Sequence, residues 1–236
     1  MYEQRLRETL PDVRERVAQA AAKRGGGGVE VIAVTKGHPL AAVAAAWAAG
    51  LRDVGENRVA ELEAKRAELA GRDPAADRGL RWHLIGHLQR NKVKRALRAF
   101  DLVHSVDSER LAQELSAEAE RAGLVVRALA QVNVSGEATK GGFAETAGVA
   151  ALGRVAALPG LRLEGLMTMA PFTADERVLR ATFSAARRLL ERCVAEVPGF
   201  AGRELSMGMT NDYEIAIEEG STMVRLGTAL FGERPR

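Results

Sequence analysis

Eight short apolar runs, each separated from the next by a stretch that reads as an amphipathic helix, constrain this chain more than any other feature. They fall at residues 29–36, 53–57, 81–86, 102–107, 125–134, 161–169, 204–207 and 222–226. Short apolar runs of this kind, bounded by turn-forming residues, read as strands buried on both faces. Strands that alternate with helices pair in parallel, because a parallel crossover occupies the length of a helix. An open doubly wound sheet and a closed (β/α)8 TIM barrel both satisfy that alternation. The count of eight favours the barrel, as do polar residues at the ends of several strands rather than at one crevice. A length of 236 residues suits one such domain, and we read residues 1–236 as a single unit.

Helix punctuation supports the same division. An extra helix over about residues 2–23 precedes the first strand, and the Gly25-Gly26-Gly27-Gly28 run joins the two. That run lacks the lysine and serine of a phosphate-binding P-loop and reads as a flexible connector. Pro39 suits the first position of a helix that Gly50 ends. Leu111, Leu115 and Ala119 share one face of a helix that Asp107 or Ser108 caps and Gly123 stops. Thr173 and Glu176 have capping-box spacing before a long helix through Cys193 to about Val197. Asn211 and Glu214 repeat that spacing, and Gly220 closes their helix.

Composition narrows the function classes. The net charge of +3 is only mildly basic, so nucleic acid is not demanded as a partner, and aromatics at 4% leave no stacking platform for single strands. The basic stretch Arg90, Lys92, Lys94, Arg95 and Arg98 reads as a solvated helix face. No apolar stretch approaches membrane-spanning length, and the N-terminus carries charges in place of an apolar leader. The single cysteine, Cys193, cannot close an internal disulfide and reads as a small buried hydrophobe in a reducing compartment. The expectation is a soluble cytoplasmic protein with neither nucleic acid nor membrane as partner. His83 and His87 straddle a strand end rather than one helix face, so no metal site is expected.

Lys36 ends the first run and precedes Gly37-His38-Pro39. An amine where a buried strand meets a loop is partly desolvated, which lowers its pKa and makes it a nucleophile. Strand context alone equally allows a lysine whose stem packs on the barrel rim while its charge reaches water. Two later segments bear on the choice. Ser206-Met207-Gly208-Met209-Thr210-Asn211-Asp212 follows the seventh run, and Arg225-Leu226-Gly227-Thr228 ends the eighth. Barrels often bind phosphate with these two loops, where small residues admit backbone N–H groups and hydroxyls add donors. Ser206, Gly208, Gly227 and Thr228 suit that task, although tight turns use the same residues. An amine and a phosphate cup in one barrel mouth imply an aldehyde bearing a phosphate, of which pyridoxal 5′-phosphate is the obvious candidate.

Longer segments add a resemblance. Ala33-Val34-Thr35-Lys36, Gly55-Glu56-Asn57, the run from His83 to Lys92, His104-Ser105-Val106-Asp107, the run from Gln131 to Glu137, Gly165-Leu166-Met167-Thr168-Met169, Ser206-Met207-Gly208-Met209 and the run from Gly220 to Gly232 occur in that order. Together they resemble the pyridoxal phosphate homeostasis protein family over almost the whole chain. The resemblance implies a fold-type-III cofactor barrel, like the N-terminal domain of alanine racemase. It implies Lys36 as the Schiff-base lysine, with Ser206 and the Gly227-Thr228 backbone on the phosphate. Arg225 would face the pyridine nitrogen, and Asn57 and His83 would lie close to the ring. It also implies a role in intracellular cofactor homeostasis, as carrier or buffer, with apo-enzymes as recipients and no assigned catalytic residue. Lys140 matches a lysine of the family and is a candidate second cofactor site, or else a solvated loop lysine. His38 stands where many relatives carry a second lysine.

The competing reading is a racemase or related amino-acid enzyme using the same imine. A cationic Arg225 beside the pyridine nitrogen disfavours its protonation and limits carbanion chemistry. A racemase also needs a second base on the opposite face of the imine. Tyr2 and Tyr213 are the only tyrosines, neither obviously supplies that base, and the chain ends just after the barrel. These features favour a holder of the cofactor, expected to be a monomer. A cofactor-free phosphate-binding barrel enzyme is the third alternative.

Overall fold

The computed structural model describes residues 1–135 and 141–234. Among the described residues, nine parallel strands form the sheet: β1 (Glu30–Val34), β2 (Asp53–Glu56), β3 (Arg81–Leu84), β4 (Leu102–Val106), β5 (Val126–Asn133), β6 (Phe143–Ala144), β7 (Leu161–Met167), β8 (Glu204–Met209) and β9 (Met223–Leu226). Pairing runs β1-β2-β3-β4-β5-β7-β8-β9, and β9 pairs back with β1, so eight strands close a barrel. These are the eight expected runs, trimmed or extended at their ends. The first ends at Val34 rather than Lys36, although the Thr35 amide still donates to the Gly55 carbonyl at 3.0 Å. The seventh continues to Met209. The two-residue β6 pairs with the end of β5 and was not expected, since two residues carry no periodic signal.

The helices are α1 (Tyr2–Lys23), α2 (Leu40–Ala48), α3 (Val59–Arg72), α4 (Pro74–Gly79), α5 (Val93–Ala96), α6 (Glu109–Ala122), α7 (Gly148–Ala156), α8 (Glu176–Glu196), α9 (Tyr213–Glu218) and α10 (Thr228–Phe231). In the extra helix α1, the buried residues Leu6, Leu10, Val13, Val17 and Ala20 recur every three or four positions, and the helix packs on α2, α9 and α10. Ser108 caps α6 through its Oγ, and Gly123 ends it in the left-handed conformation.

Three punctuation marks differ from expectation. Pro39 is the cap of α2 and not its first residue. Helix α8 is capped by Asp175, whose Oδ1 accepts from the Arg177 amide at 2.9 Å, while Thr173 Oγ1 accepts from Asp175 N. A carboxylate is favoured there because it also complements the positive helix end. Asp212, not Asn211, precedes α9, and its Oδ1 accepts from the Met209 amide at 2.6 Å.

Apolar packing divides into two bodies. The larger lies between barrel and helices, around Trp82, Leu115 and Phe183. The smaller fills the barrel, where Ile32, Leu102, Leu129, Met167 and Met223 meet. Cys193 is buried on α8, and burial pushes its thiol up to about 11. No described helix is long and apolar enough to cross a membrane.

Candidate functional site

Strand alternation aims the site. Successive side chains of β1 point in and out, so Ile32 packs inside the barrel, Val34 lines its mouth, and Lys36 follows on the same face. A cavity of about 500 Å3 opens at the carboxyl end of the strands. Its walls include Lys36, Asn57, Thr210, Arg225, Thr228 and Arg234. Gly227, Asn211 and His38 border it as well. Asn57 is held by a close approach: a Cβ on Gly86 would sit 2.3 Å from the Asn57 carbonyl oxygen.

Lys36 is half-buried. Burial lowers its pKa below the ordinary lysine value, the cations Arg234 and Arg225 lower it further, and Glu56 partly opposes them. A larger share of the neutral, nucleophilic amine follows at neutral pH.

Arg225 forms the cavity floor and is itself buried. Its Nη1 donates to Ser206 Oγ at 2.6 Å and to the Ser206 carbonyl at 2.8 Å, and its Nη2 donates to the Thr168 carbonyl at 3.0 Å. Burial lowers the guanidinium to about 10, which leaves it cationic at neutral pH.

Beneath Arg225 a hydrogen-bonded chain crosses the barrel interior. Ser206 Oγ lies 2.9 Å from His104 Nδ1, His104 Nε2 lies 2.8 Å from His83 Nδ1, and His83 Nε2 lies 2.8 Å from Asp53 Oδ1. Arg81 then grips Asp53 through Nε and Nη2 at 2.7 Å each. The ends fix the direction, since a guanidinium only donates and a carboxylate only accepts. With both rings neutral, Ser206 donates to His104, His104 Nε2–H donates to His83, and His83 Nε2–H donates to Asp53. Burial, His83 and Arg225 all hold the His104 pKa well below the ordinary histidine value. Burial of Asp53 favours its neutral form, but the hydrogen bonds from His83 and Arg81 outweigh that and keep its pKa below the usual value.

The residues singled out from sequence therefore separate into two groups. Lys36, Asn57, Arg225, Gly227 and Thr228 meet at the cavity. Ser206 and His83 lie below it, as links of the interior chain, and are not among its described lining residues. Gly208 also lies off the lining. It holds φ at +93°, and a Cβ there would fall 2.6 Å from that of Ala216, so its place is the bend into α9. Lys140 lies outside the described residues.

Two lining residues, Thr210 and Arg234, escaped the sequence reading, and a third, His38, was noted only as standing in place of a lysine. Thr210 brings a hydroxyl to the loop where Ser206 was expected to bring one, and that hydroxyl accepts from the Ala229 amide at 3.2 Å. Its position in the quoted loop was the available signal. His38 packs edge-on against Tyr2, whose Oη lies 3.2 Å from His38 Nδ1. Arg234 reaches the cavity from beyond the last strand, where no periodicity marks it.

A closed parallel barrel with a desolvated lysine at the end of its first strand, facing buried and peripheral arginines, defines a class. Its mouth pairs an amine with cations, an arrangement whose chemistry would suit an anionic carbonyl compound. Comparison with known proteins narrows the class. The family model described as alanine racemase, N-terminal domain, matches residues 9–235. A Pseudomonas aeruginosa protein named pyridoxal phosphate homeostasis protein is 44% identical over 232 residues, covering 97% of this chain and 96% of that protein. An Aquifex aeolicus protein of the same name is 38% identical, with 96% and 97% covered. Among solved structures, PipY of Synechococcus elongatus with PLP bound superposes with a TM-score of 0.83 at 36% identity, covering 98% of this chain and 100% of that one. Alanine racemase of Clostridium difficile shares the fold at a TM-score of 0.75 and 15% identity, covering 97% of this chain and 60% of that one. The chain belongs to the pyridoxal phosphate homeostasis protein family, within the alanine racemase N-terminal domain fold.

Proposed function

We propose that this protein binds pyridoxal 5′-phosphate as a Schiff base on Lys36 and serves intracellular cofactor homeostasis as a carrier or buffer. One observation carries the reading: Lys36 shares a cavity with Arg225, Arg234, Thr210 and Thr228, so an amine and the donors for a phosphate line one space. When bound, the cofactor supplies an aldehyde that an amine can capture reversibly. The chain's own residues do the rest. Desolvation keeps part of the Lys36 population neutral. Thr210, Thr228 and the Gly227–Thr228 backbone, with Arg234, suit the phosphate. Arg225, cationic and pinned to Ser206 and Thr168, would face the pyridine nitrogen and disfavour its protonation. Asn57, on the cavity wall, would lie close to the ring. His83 acts at one remove, through the interior chain. The relatives' shared name and the PLP-bound PipY structure support the assignment.

The homeostasis reading includes cofactor-free enzymes as recipients and places the protein in the cytoplasm as a monomer. The lone buried Cys193 suits that compartment. Exposed apolar side chains such as Val125 and Val194 are scattered along the chain, which suits a monomer. Loaded protein mixed with a cofactor-free PLP enzyme tests the role. The enzyme's activity should return faster than by dilution of free cofactor, and a rate equal to passive release would refute a carrier.

A further inference from the structure

Behind Lys36, on the outer side of the barrel wall, lies a buried ionic cluster that the proposed site does not use. Alternation puts Thr35 and Glu56 outward where Lys36 and Asn57 line the cavity. Helix α3 brings Lys65 and Glu61, one turn apart, against them. Lys65 Nζ donates to Glu56 Oε1 at 2.7 Å, to Glu61 Oε1 at 2.9 Å and to the Thr35 carbonyl at 2.8 Å. Glu56 Oε1 also accepts from Thr35 Oγ1 at 2.6 Å, and Glu61 Oε1 accepts from the Gly37 amide at 2.7 Å. Glu56 is wholly buried and the Lys65 side chain is only 9% exposed.

Burying the Glu56–Lys65 pair is costly, and well-packed apolar residues would usually serve stability as well. The specific contacts explain the arrangement better. Among the described residues, every side-chain hydrogen bond that leaves the cluster ends on Thr35 or Gly37, the two neighbours of Lys36. A backbone gripped on both sides cannot rotate the residue between them, so the Lys36 stem leaves the wall in a fixed direction. An amine held in one direction loses less entropy on capturing a carbonyl than one on a free turn.

We propose that Glu56, Lys65 and Glu61 are positioning residues for Lys36: they lock the Thr35-Lys36-Gly37 turn and so set the strength of carbonyl capture in the cavity. The inference rests on the reading of Lys36 as the carbonyl-binding amine, but its first test does not. Glu61 is the residue to vary, because it is the most exposed of the three and the Lys65–Glu56 pair survives its loss. Glu61→Ala removes the acceptor for Gly37 N–H, whereas Glu61→Gln keeps a carbonyl oxygen there and removes only the charge.

Hydrogen exchange of the cofactor-free protein reads the turn itself. Protection of the Gly37 amide should fall about tenfold in Glu61→Ala and return in Glu61→Gln, while the thermal midpoint stays within a few degrees of the parent. Titration with pyridoxal 5′-phosphate, followed by the absorption of the Lys36 adduct, should show affinity about tenfold weaker in Glu61→Ala and largely restored in Glu61→Gln. Unchanged Gly37 protection in Glu61→Ala overturns the proposal. So does lost protection with unchanged affinity, and so do equal losses in Ala and Gln, which would mean that charge and not geometry matters. If the parent protein forms no adduct at all, the cofactor reading fails and the positioning role falls with it, whereas a parent adduct that ignores both variants refutes positioning alone.

Discussion

At the scale of single residues, the arginine and the carboxylate at opposite ends of the interior chain decide where the hydrogens sit on the three side chains between them. Arg225 can only donate and Asp53 can only accept, so His83 and His104 must both carry hydrogen on Nε2 when neutral. Nitrogen-15 NMR of labelled histidine should show the neutral form of both rings as the Nε2–H tautomer. An Nδ1–H tautomer at either position would contradict the chain. Ser206→Ala breaks the link between Arg225 and His104 and leaves His104 Nδ1 buried without its donor. The expected cost is about 1–3 kcal/mol in urea unfolding. A variant as stable as the parent would mean that the serine contributes nothing to the floor beneath the cavity. The sequence hid this arrangement. His83 and Ser206 were legible only as polar residues near strand ends, and nothing in their spacing shows that strands β2, β3, β4 and β8 aim Asp53, His83, His104 and Ser206 into one space. Inward parity on neighbouring strands was the usable clue.

At the scale of elements, the strands were readable because burial on both faces leaves a continuous apolar run, and the helices because one face repeats every three or four residues. What resisted reading was short or local. Strand β6 spans two residues and α10 four, too brief for a periodic stripe, whereas α9 was legible only from its cap spacing and Gly220. Cap choice also went astray, since Thr173, Asp175 and Glu176 offer competing acceptors within one turn. The structure gives the work to Asp175. Asp175→Ala should therefore cost about 1 kcal/mol of stability, and Thr173→Ala clearly less. Thermal unfolding of the two variants checks this, and the reverse order would restore the Thr173 capping box. Gly208 illustrates the same limit. A glycine in a loop thought to bind phosphate reads as a backbone donor, while its positive φ against Ala216 shows a bend that no side chain could make.

At the scale of the whole molecule, the barrel joins a buried polar axis to a cavity at one end, and the axis makes stability depend on pH. Asp53 ionises below its unfolded-state value because His83 and Arg81 hydrogen-bond its charged form against the opposing effect of burial. The sign follows from linkage: this contribution is present above the unfolded pKa of 3.8 and is lost as pH falls through the lower folded value. Urea unfolding between pH 3 and pH 7 should show the parent losing stability on acidification more steeply than Asp53→Asn, and parallel curves would remove Asp53 from the account. Barrel and cavity were both foreseeable from eight runs and a lysine at the end of the first. The second-site lysine, Lys140, stays a sequence-level expectation. The central claim is that Lys36 captures the cofactor, and borohydride trapping tests it most directly. Protein mixed with pyridoxal 5′-phosphate at neutral pH, reduced and digested, should carry the pyridoxyl group on the peptide containing Lys36, and Lys36→Ala should lose both the label and the absorption band. A label spread over surface lysines, or a band that survives in Lys36→Ala, would contradict the account.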